Sequence, residues 1–564
     1  MPAHIMQRLD APYNAYVKQL ELPLWNKSCL FEAGVGKNIN GNMFALIRGI
    51  CQDEHYKDYQ LALAIVPEML KTAQTRMSFY GLERVQLVIL ESAEYNELLA
   101  RAKYLFNDNT FPAYFTKRSD QVYLNTWHGT PLKRLGLSDI ANSLRSFANV
   151  QKNLLTANYV LFPNEHTRTA FVDDYDLAPF YSGAYLMHDY PRNDVLTDAL
   201  TYTQVRDEQG VPVDTELIAY MPTWRGVGRT ADSEGQIRKI SRYLTELDAS
   251  LNDKQILCVN LHFTVQGALD FTSYQHIRPF PSCYETYDFL AACDKLITDY
   301  SSVMFDFAAT RRPIYLFAYD EDDYMAGKGS YLEYHSLPFP IVRTVQALLK
   351  LVNAPYAADG YSEFIEKFCP YHTGSATREL VEFILGGKKQ QLQLLTQKAA
   401  PIENAYYVFH LGKKSLDHQI VPTILSKAQE PSVLITTGTY NQKAIEAFEQ
   451  LRGKVPILII VRRHVQSRRE QLLLELASKR SFLTQLLEKS LHTYFMREAH
   501  QLLSGIVPKR FIALAPDNSY LMWMIKGLSC QRYIAAPLKK KMLPKRVQIC
   551  LGDSFEEESH ADLE

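Results

Sequence analysis

A histidine stands beside a glycine where an apolar run stops, in Thr126-Trp127-His128-Gly129-Thr130-Pro131, an arrangement suited to proton transfer. An imidazole titrates near neutrality, so His128 can take a proton from an attacking hydroxyl. Gly129 allows close backbone approach to a ligand, or a dihedral other residues avoid. A histidine that merely ties down a loop has the same local pattern. In KLITDYSSVMFDFA (295–308) an apolar run reaches Asp299-Tyr300, and Ser301-Ser302 follow where a helix should start. Serine caps helices well, and the free N–H groups of a helix start bind phosphate, although an ordinary capped helix reads identically. Asp306 falls one turn into that helix. Arg225, in MPTWRG (221–226), carries a planar fork that matches oxyanions. His262, in NLHFTVQ (260–266), can hydrogen-bond a diphosphate and stabilise charge on a departing phosphate. Read singly, each residue also fits a structural duty.

These residues need strands to carry them to one place. Short apolar runs alternate with amphipathic stretches, the βαβα rhythm of parallel sheets. Strands are expected at 29–33, 59–66, 85–90, 103–107, 122–127 and 159–163. A second set is expected at 217–224, 255–262, 295–300 and 313–320, with a helical stretch over about 375–400 closing the unit. A third α/β segment follows, with strands at 432–438, 455–461 and 511–516. Two consecutive doubly wound sheets place a ligand crevice at the carboxyl ends of their strands, where His128, Arg225, His262 and the serine pair all fall. A chain ending near residue 400 is expected to stand alone.

At 564 residues, several folding units are needed. A net charge of −1 gives no overall electrostatic footprint for nucleic acid. The eight cysteines include no C-x-x-C pair, so neither a zinc nor a redox motif is indicated, and reduced thiols of a cytoplasmic protein are expected. The N-terminus lacks the apolar core of a signal peptide, and no stretch is apolar enough to span a bilayer. Any membrane contact is therefore expected to be peripheral. Glu321-Asp322-Asp323 is an acidic cluster without an arranged ligand set. KKKMLPKR (539–546) reads as a solvated charge run or as a holder of an anionic acceptor.

Together these blocks resemble the CDP-glycerol:poly(glycerophosphate) glycerophosphotransferases of teichoic acid synthesis. The resemblance covers about residues 29–385 and is carried by LFEAGVGKNINGN (30–42), the 102–136 stretch ending in WHGTPLKRLG, FPNEHTRTAF (162–171), DYPRNDVL (189–196), MPTWRG, LITDYSSVMFDFA and FCPYHTGSATRELVEFIL (368–385). It implies an α/β protein of GT-B type, two Rossmann-like domains facing a cleft, plus a C-terminal α/β segment. The expected divisions are a helical segment over 1–28, an acceptor-side domain over 29–200, a donor-binding domain over 201–400 and a further domain over 401–564. The resemblance implies that His128 is the general base and that His262 contacts the donor diphosphate. Arg225, Ser301 and Ser302 would bind the donor, and Asp299, just ahead of the serines, is counted with them. Asn193 and Asp194 would be structural, closing the first domain near the hinge.

The implied donor is CDP-glycerol, with no metal or other cofactor, and the acceptor a lipid-linked poly(glycerol phosphate) at the inner membrane surface. No nucleic-acid partner is expected. CDP-ribitol or a nucleotide sugar as donor, and an inactive polymer-binding scaffold, stay open as alternatives. The chain departs from the family at Phe263, where a proline follows the second histidine, and its membrane-binding helices before the first domain look abbreviated.

Overall fold

The computed structural model describes residues 12–223, 233–261, 269–322, 324, 329–356, 361–388, 392–396, 401–409, 417–426, 430–437, 441–460, 467–479, 487, 490–497, 506, 508–514, 531–535 and 548–550. Within them, apolar strands buried on both faces build three sheets, the pattern that helices covering both sides of a parallel sheet demand. The Cys29–Glu32 half of the first strand is wholly buried, as is all of Ile314–Phe317.

The first sheet is made of β1 (Trp25–Glu32), β2 (Gln60–Ile65), β3 (Gln86–Ile89), β4 (Ala102–Asn107), β5 (Val122–Asn125), β6 (Tyr159–Phe162), β7 (Ala184–Met187) and a late strand, β14 (Gln393–Thr396). Their order is β14-β7-β6-β5-β4-β1-β2-β3. β14 runs antiparallel to β7, and the other pairs are parallel. The second sheet takes β8 (Glu216–Met221), β9 (Gln255–Val259), β10 (Ile277–Pro279), β11 (Lys295–Thr298), β12 (Ile314–Phe317) and β13 (Ile341–Val342) in the order β10-β9-β8-β11-β12-β13. The third takes β15 (Asn404–Phe409), β16 (Ser432–Thr437), β17 (Ile457–Ile460), β18 (Arg510–Leu514), β19 (Gln531–Ala535) and β20 (Gln548–Cys550) in the order β17-β16-β15-β18-β19-β20. Each sheet winds outward one way, then crosses back beside its starting strand. The gaps β1/β4 and β8/β11 are the switch points where such sheets receive ligands.

The expected strands are present, with trimmed ends, and the two GT-B units face one another. Two expected boundaries move. β1 begins at Trp25, inside the segment expected to be helical, and the helix there is Pro12–Gln19. The stretch after 375 does not belong to the second unit. Helix Ala376–Ile384 packs Leu380, Val381 and Ile384 against Phe44, Ile47 and Ile50 of the first unit, and β14 joins that unit's sheet. An amphipathic helix shows which face it buries but not against which sheet, so the return crossing is invisible in the pattern. Asp194 fastens it by accepting the Ala376 and Thr377 amides at 2.9 and 2.8 Å, the structural duty expected of PRND. Asn193 Nδ2 donates to Asp189 at 2.7 Å.

Helix Thr286–Ala291 of the second unit docks on the first. Glu285 caps that helix and also accepts the Gly41 amide at 2.8 Å, and Arg48 pairs with Asp288 at 2.6 Å. The third unit is packed into the first, not tethered beside it. Ile457, Leu458 and Ile459 of β17 share one core with Phe147, Val150 and Leu154 of helix Ile140–Thr156. Gln151 of that helix donates to the Ile457 carbonyl at 2.7 Å and accepts the Ile459 amide at 3.0 Å. Among the described residues no helix is long and apolar enough to cross a membrane. KKKMLPKR lies outside the described residues.

Candidate functional site

β5 ends at Asn125, and the next residues turn sharply. Trp127 takes a left-handed backbone, φ 52°, which costs a non-glycine residue energy and is held only where neighbours dictate it. Here Asn125 Oδ1 accepts the Trp127 amide at 3.0 Å, and Asn42 Nδ2 donates to the Trp127 carbonyl at 3.2 Å. The indole stacks on the His128 ring, centroids 4.4 Å apart, and meets Phe171 edge-on. The turn thus delivers the imidazole to the cleft.

His128 Nδ1 lies 2.8 Å from the Asp108 carbonyl. A carbonyl only accepts, so Nδ1 carries the hydrogen and Nε2 keeps a lone pair for a proton. Although one side of the ring is open to the cleft, desolvation lowers the imidazole pKa, the Asp108 bond opposes this, and the nearby Arg192 cation adds to it. A neutral imidazole, the form a general base needs, is therefore favoured. Behind it, burial pushes the Asp108 carboxyl up to about 7, while its Oδ1 accepts the Gly34 amide at 2.7 Å.

Across the cleft, β11 leads through Asp299-Tyr300 to Ser301 and Ser302, and helix Val303–Phe307 follows. Ser302 occupies the cap position without a side-chain capping bond. Gly129 and Ser302 nearly touch: a Cβ on Gly129, φ 155°, would come within 2.5 Å of Ser302 Oγ. Glycine is therefore required where the two units meet. His128, Gly129, Lys133, Thr223, Ser301 and Ser302 line one cavity of about 270 Å³.

Of the sequence-derived residues, the structure brings His128, Ser301 and Ser302 to this cavity. Asp299 is 1% exposed. Its carboxylate accepts the Thr223 amide at 2.9 and 3.1 Å and the Tyr300 amide at 2.5 Å, and so ties together the ends of β8 and β11. Arg225 and His262 lie outside the described residues, beyond the ends of β8 and β9. Glu321 is paired with His335 at 2.6 Å and Arg343 at 2.9 Å, and Asp322 with Arg343 at 3.2 Å, while Asp323 lies outside the described residues. Glu321 and Asp322 thus belong to an ion-pair network.

Sequence reasoning missed Arg192. Its guanidinium is sandwiched between the rings of Tyr190 and Tyr287 and spans the cleft floor. Nη1 donates to the His128 carbonyl at 2.9 Å, and Nη2 donates to Asp306 of the serine-pair helix at 2.6 Å. Tyr287 donates its hydroxyl to the same Asp306 oxygen at 2.6 Å. One buried cation thereby fixes the turn that carries His128 against the helix that follows Ser302. Lys133, the cation lining the cavity, was also missed; it sits over the Tyr324 ring at 5.0 Å. Both residues stand inside quoted motifs, but nothing in a linear motif pairs residues 114 positions apart.

Comparison with known proteins places this geometry in a family. A family model described as CDP-glycerol:poly(glycerophosphate) glycerophosphotransferase matches residues 14–386, more than half of the chain. The chain is 31% identical over 334 residues to the teichoic acid poly(glycerol phosphate) polymerase of Staphylococcus epidermidis, covering 53% of this chain and 44% of that protein. It is 25% identical over 380 residues to the polymerase of the same name from Bacillus spizizenii, covering 65% of this chain and 93% of that one. A solved structure of the wall teichoic acid polymerase TagF superposes with a TM-score of 0.56 at 26% identity, covering 69% of this chain and 96% of that chain.

Proposed function

Because the chain belongs to the CDP-glycerol:poly(glycerophosphate) glycerophosphotransferase family, we propose that it transfers glycerol phosphate from CDP-glycerol to a poly(glycerol phosphate)-type acceptor, releasing CMP. The observation that carries this reading is the single cavity in which His128 stands opposite Ser301 and Ser302. The donor's diphosphate lies against the serine pair, whose hydroxyls and adjacent amides supply donors. Lys133 adds positive charge, and Arg225 and His262 complete the donor contacts. His128 Nε2 takes the proton of an acceptor hydroxyl, the freed oxygen attacks the phosphorus bearing glycerol, and the bond to the CMP oxygen breaks. Positioning and charge stabilisation provide most of the acceleration, as is general for phosphoryl transfer. This sequence of steps uses no metal, so turnover should survive chelation by EDTA.

The acceptor is lipid-linked, and the protein works on the inner face of the membrane as a peripheral enzyme. The test is CMP release from purified protein given CDP-glycerol and a lipid-linked acceptor analogue, with CDP-ribitol and a nucleotide sugar run in parallel. Turnover on CDP-ribitol alone would change the donor, and donor binding without turnover on any arm would make the chain a scaffold. Sedimentation with anionic vesicles tests the membrane placement, which fails if the protein stays in the supernatant at low salt.

A further inference from the structure

The third unit has contacts that reach the cavity. Asp174 ends helix Glu165–Asp174 of the first unit and is 4% exposed. Its carboxylate meets all three units. Oδ1 accepts from Ser138 Oγ beside it and from Arg452 Nη2 of the third unit, the latter at 3.1 Å. Oδ2 accepts from the Tyr331 hydroxyl of the second unit. A phenol that donates one hydrogen still has lone pairs to accept another, and Tyr331 uses them on the Leu135 amide at 3.0 Å.

Around this link, residues 132–135 are pinned by main-chain bonds to residues 329–331. The Leu132 carbonyl accepts the Tyr331 amide at 2.9 Å and Ser330 Oγ at 3.0 Å, and the Gly329 carbonyl accepts the Arg134 amide at 3.0 Å. Leu132, Lys133 and Leu135 are one wall of the reaction cavity.

We infer that Asp174 is a positioning residue through which Arg452 of the third unit steadies the cavity wall that carries Lys133. The inference rests on reading that cavity as the reaction site. Its physical basis is charge: a buried carboxylate without a cation is costly and relaxes toward water. Removing Arg452 therefore loosens Asp174, then the Tyr331 hydroxyl, then the Leu135 amide. The third unit thus contributes to catalysis by holding.

The test is hydrogen exchange on the full-length, ligand-free protein. In Arg452→Ala, the Arg134 and Leu135 amides should exchange about five- to tenfold faster, the effect of losing one partly exposed charge-assisted bond. Arg452→Lys should recover part of the protection. Tyr331→Phe should give the same acceleration, and the double variant no more than Tyr331→Phe alone. In turnover assays, kcat should fall about three- to tenfold in Arg452→Ala at unchanged CMP affinity. Unchanged exchange over residues 131–136, or acceleration confined to residues around Arg452, overturns the inference. Should the unaltered protein release no CMP from CDP-glycerol, the proposed function falls, while the exchange experiment still decides the structural link.

Discussion

Replacing Arg192 with Met tests the geometry most directly. The Arg192–Asp306 pair is 2.6 Å long, with side chains 7% and 4% exposed. Among the described residues, removing the cation leaves Asp306 buried with the Tyr287 hydroxyl alone, and breaking a buried pair in this way costs about 3–5 kcal/mol. Removing both charges, and the stranded hydroxyl as well, is different: Arg192→Met with Asp306→Leu and Tyr287→Phe should restore stability to within about 1–2 kcal/mol, because apolar groups of similar volume replace buried pairs at little cost. Activity should not return. The His128 carbonyl has lost its 2.9 Å anchor, and a base displaced by about 1 Å costs about 100-fold in turnover. Surviving activity should also shift in pH. The Arg192 cation disfavours imidazolium, so its loss raises the His128 pKa, and the acidic limb of kcat/KM moves to higher pH. Urea titrations of the single and triple variants, with pH–rate profiles from CMP release, measure all three effects. A triple variant with normal turnover, or a single variant as stable as the parent, refutes the reasoning.

Three other outcomes follow from the site. His128→Ala should lower turnover by about 100- to 10,000-fold with donor affinity nearly unchanged, and in the unaltered protein activity should persist below the ordinary histidine range before falling, since the imidazole pKa is lowered; a folded variant with normal rates removes His128 as the base. Gly129→Ala should weaken CDP-glycerol binding and turnover together by pushing Ser302 away, because its Cβ lands 2.5 Å from Ser302 Oγ; calorimetry and CMP release check this, and normal values for both count against close apposition of the two loops. A chain ending near residue 400 should be poorly soluble or clearly less stable, because β17 shares a core with helix Ile140–Thr156; a well-behaved truncation, judged by sedimentation and melting, would show that core to be dispensable.

Much of this was legible in the sequence because apolar runs buried on both faces of a parallel sheet leave few other readings. That His128, Ser301 and Ser302 come together in one cavity was legible because loops at strand ends face the cleft in such folds. What escaped is pairwise and distant. Asp299 was counted with the serines because it stands at a strand end, and only the fold shows that its carboxylate accepts the Thr223 and Tyr300 amides. Arg192 was not singled out within PRND, and only packing shows its guanidinium reaching Asp306. The return of helix Ala376–Ile384 to the first unit was hidden for the same reason: its apolar face carries no address. β7 and β15 were not among the expected strands.

The Gln151 contact has a consequence for how the chain survives its own synthesis. β17 is the outer strand of its sheet, and an outer strand offers unpaired amides and carbonyls to any neighbouring chain. Gln151 occupies the Ile457 carbonyl and the Ile459 amide, and Asp176 accepts the Ile457 amide at 2.9 Å. A side-chain amide is thus imitating a further strand and plugging the edge against self-assembly into aggregates. Helix Ile140–Thr156 is translated some 300 residues ahead of β17, so the plug exists before the edge it must cover leaves the ribosome.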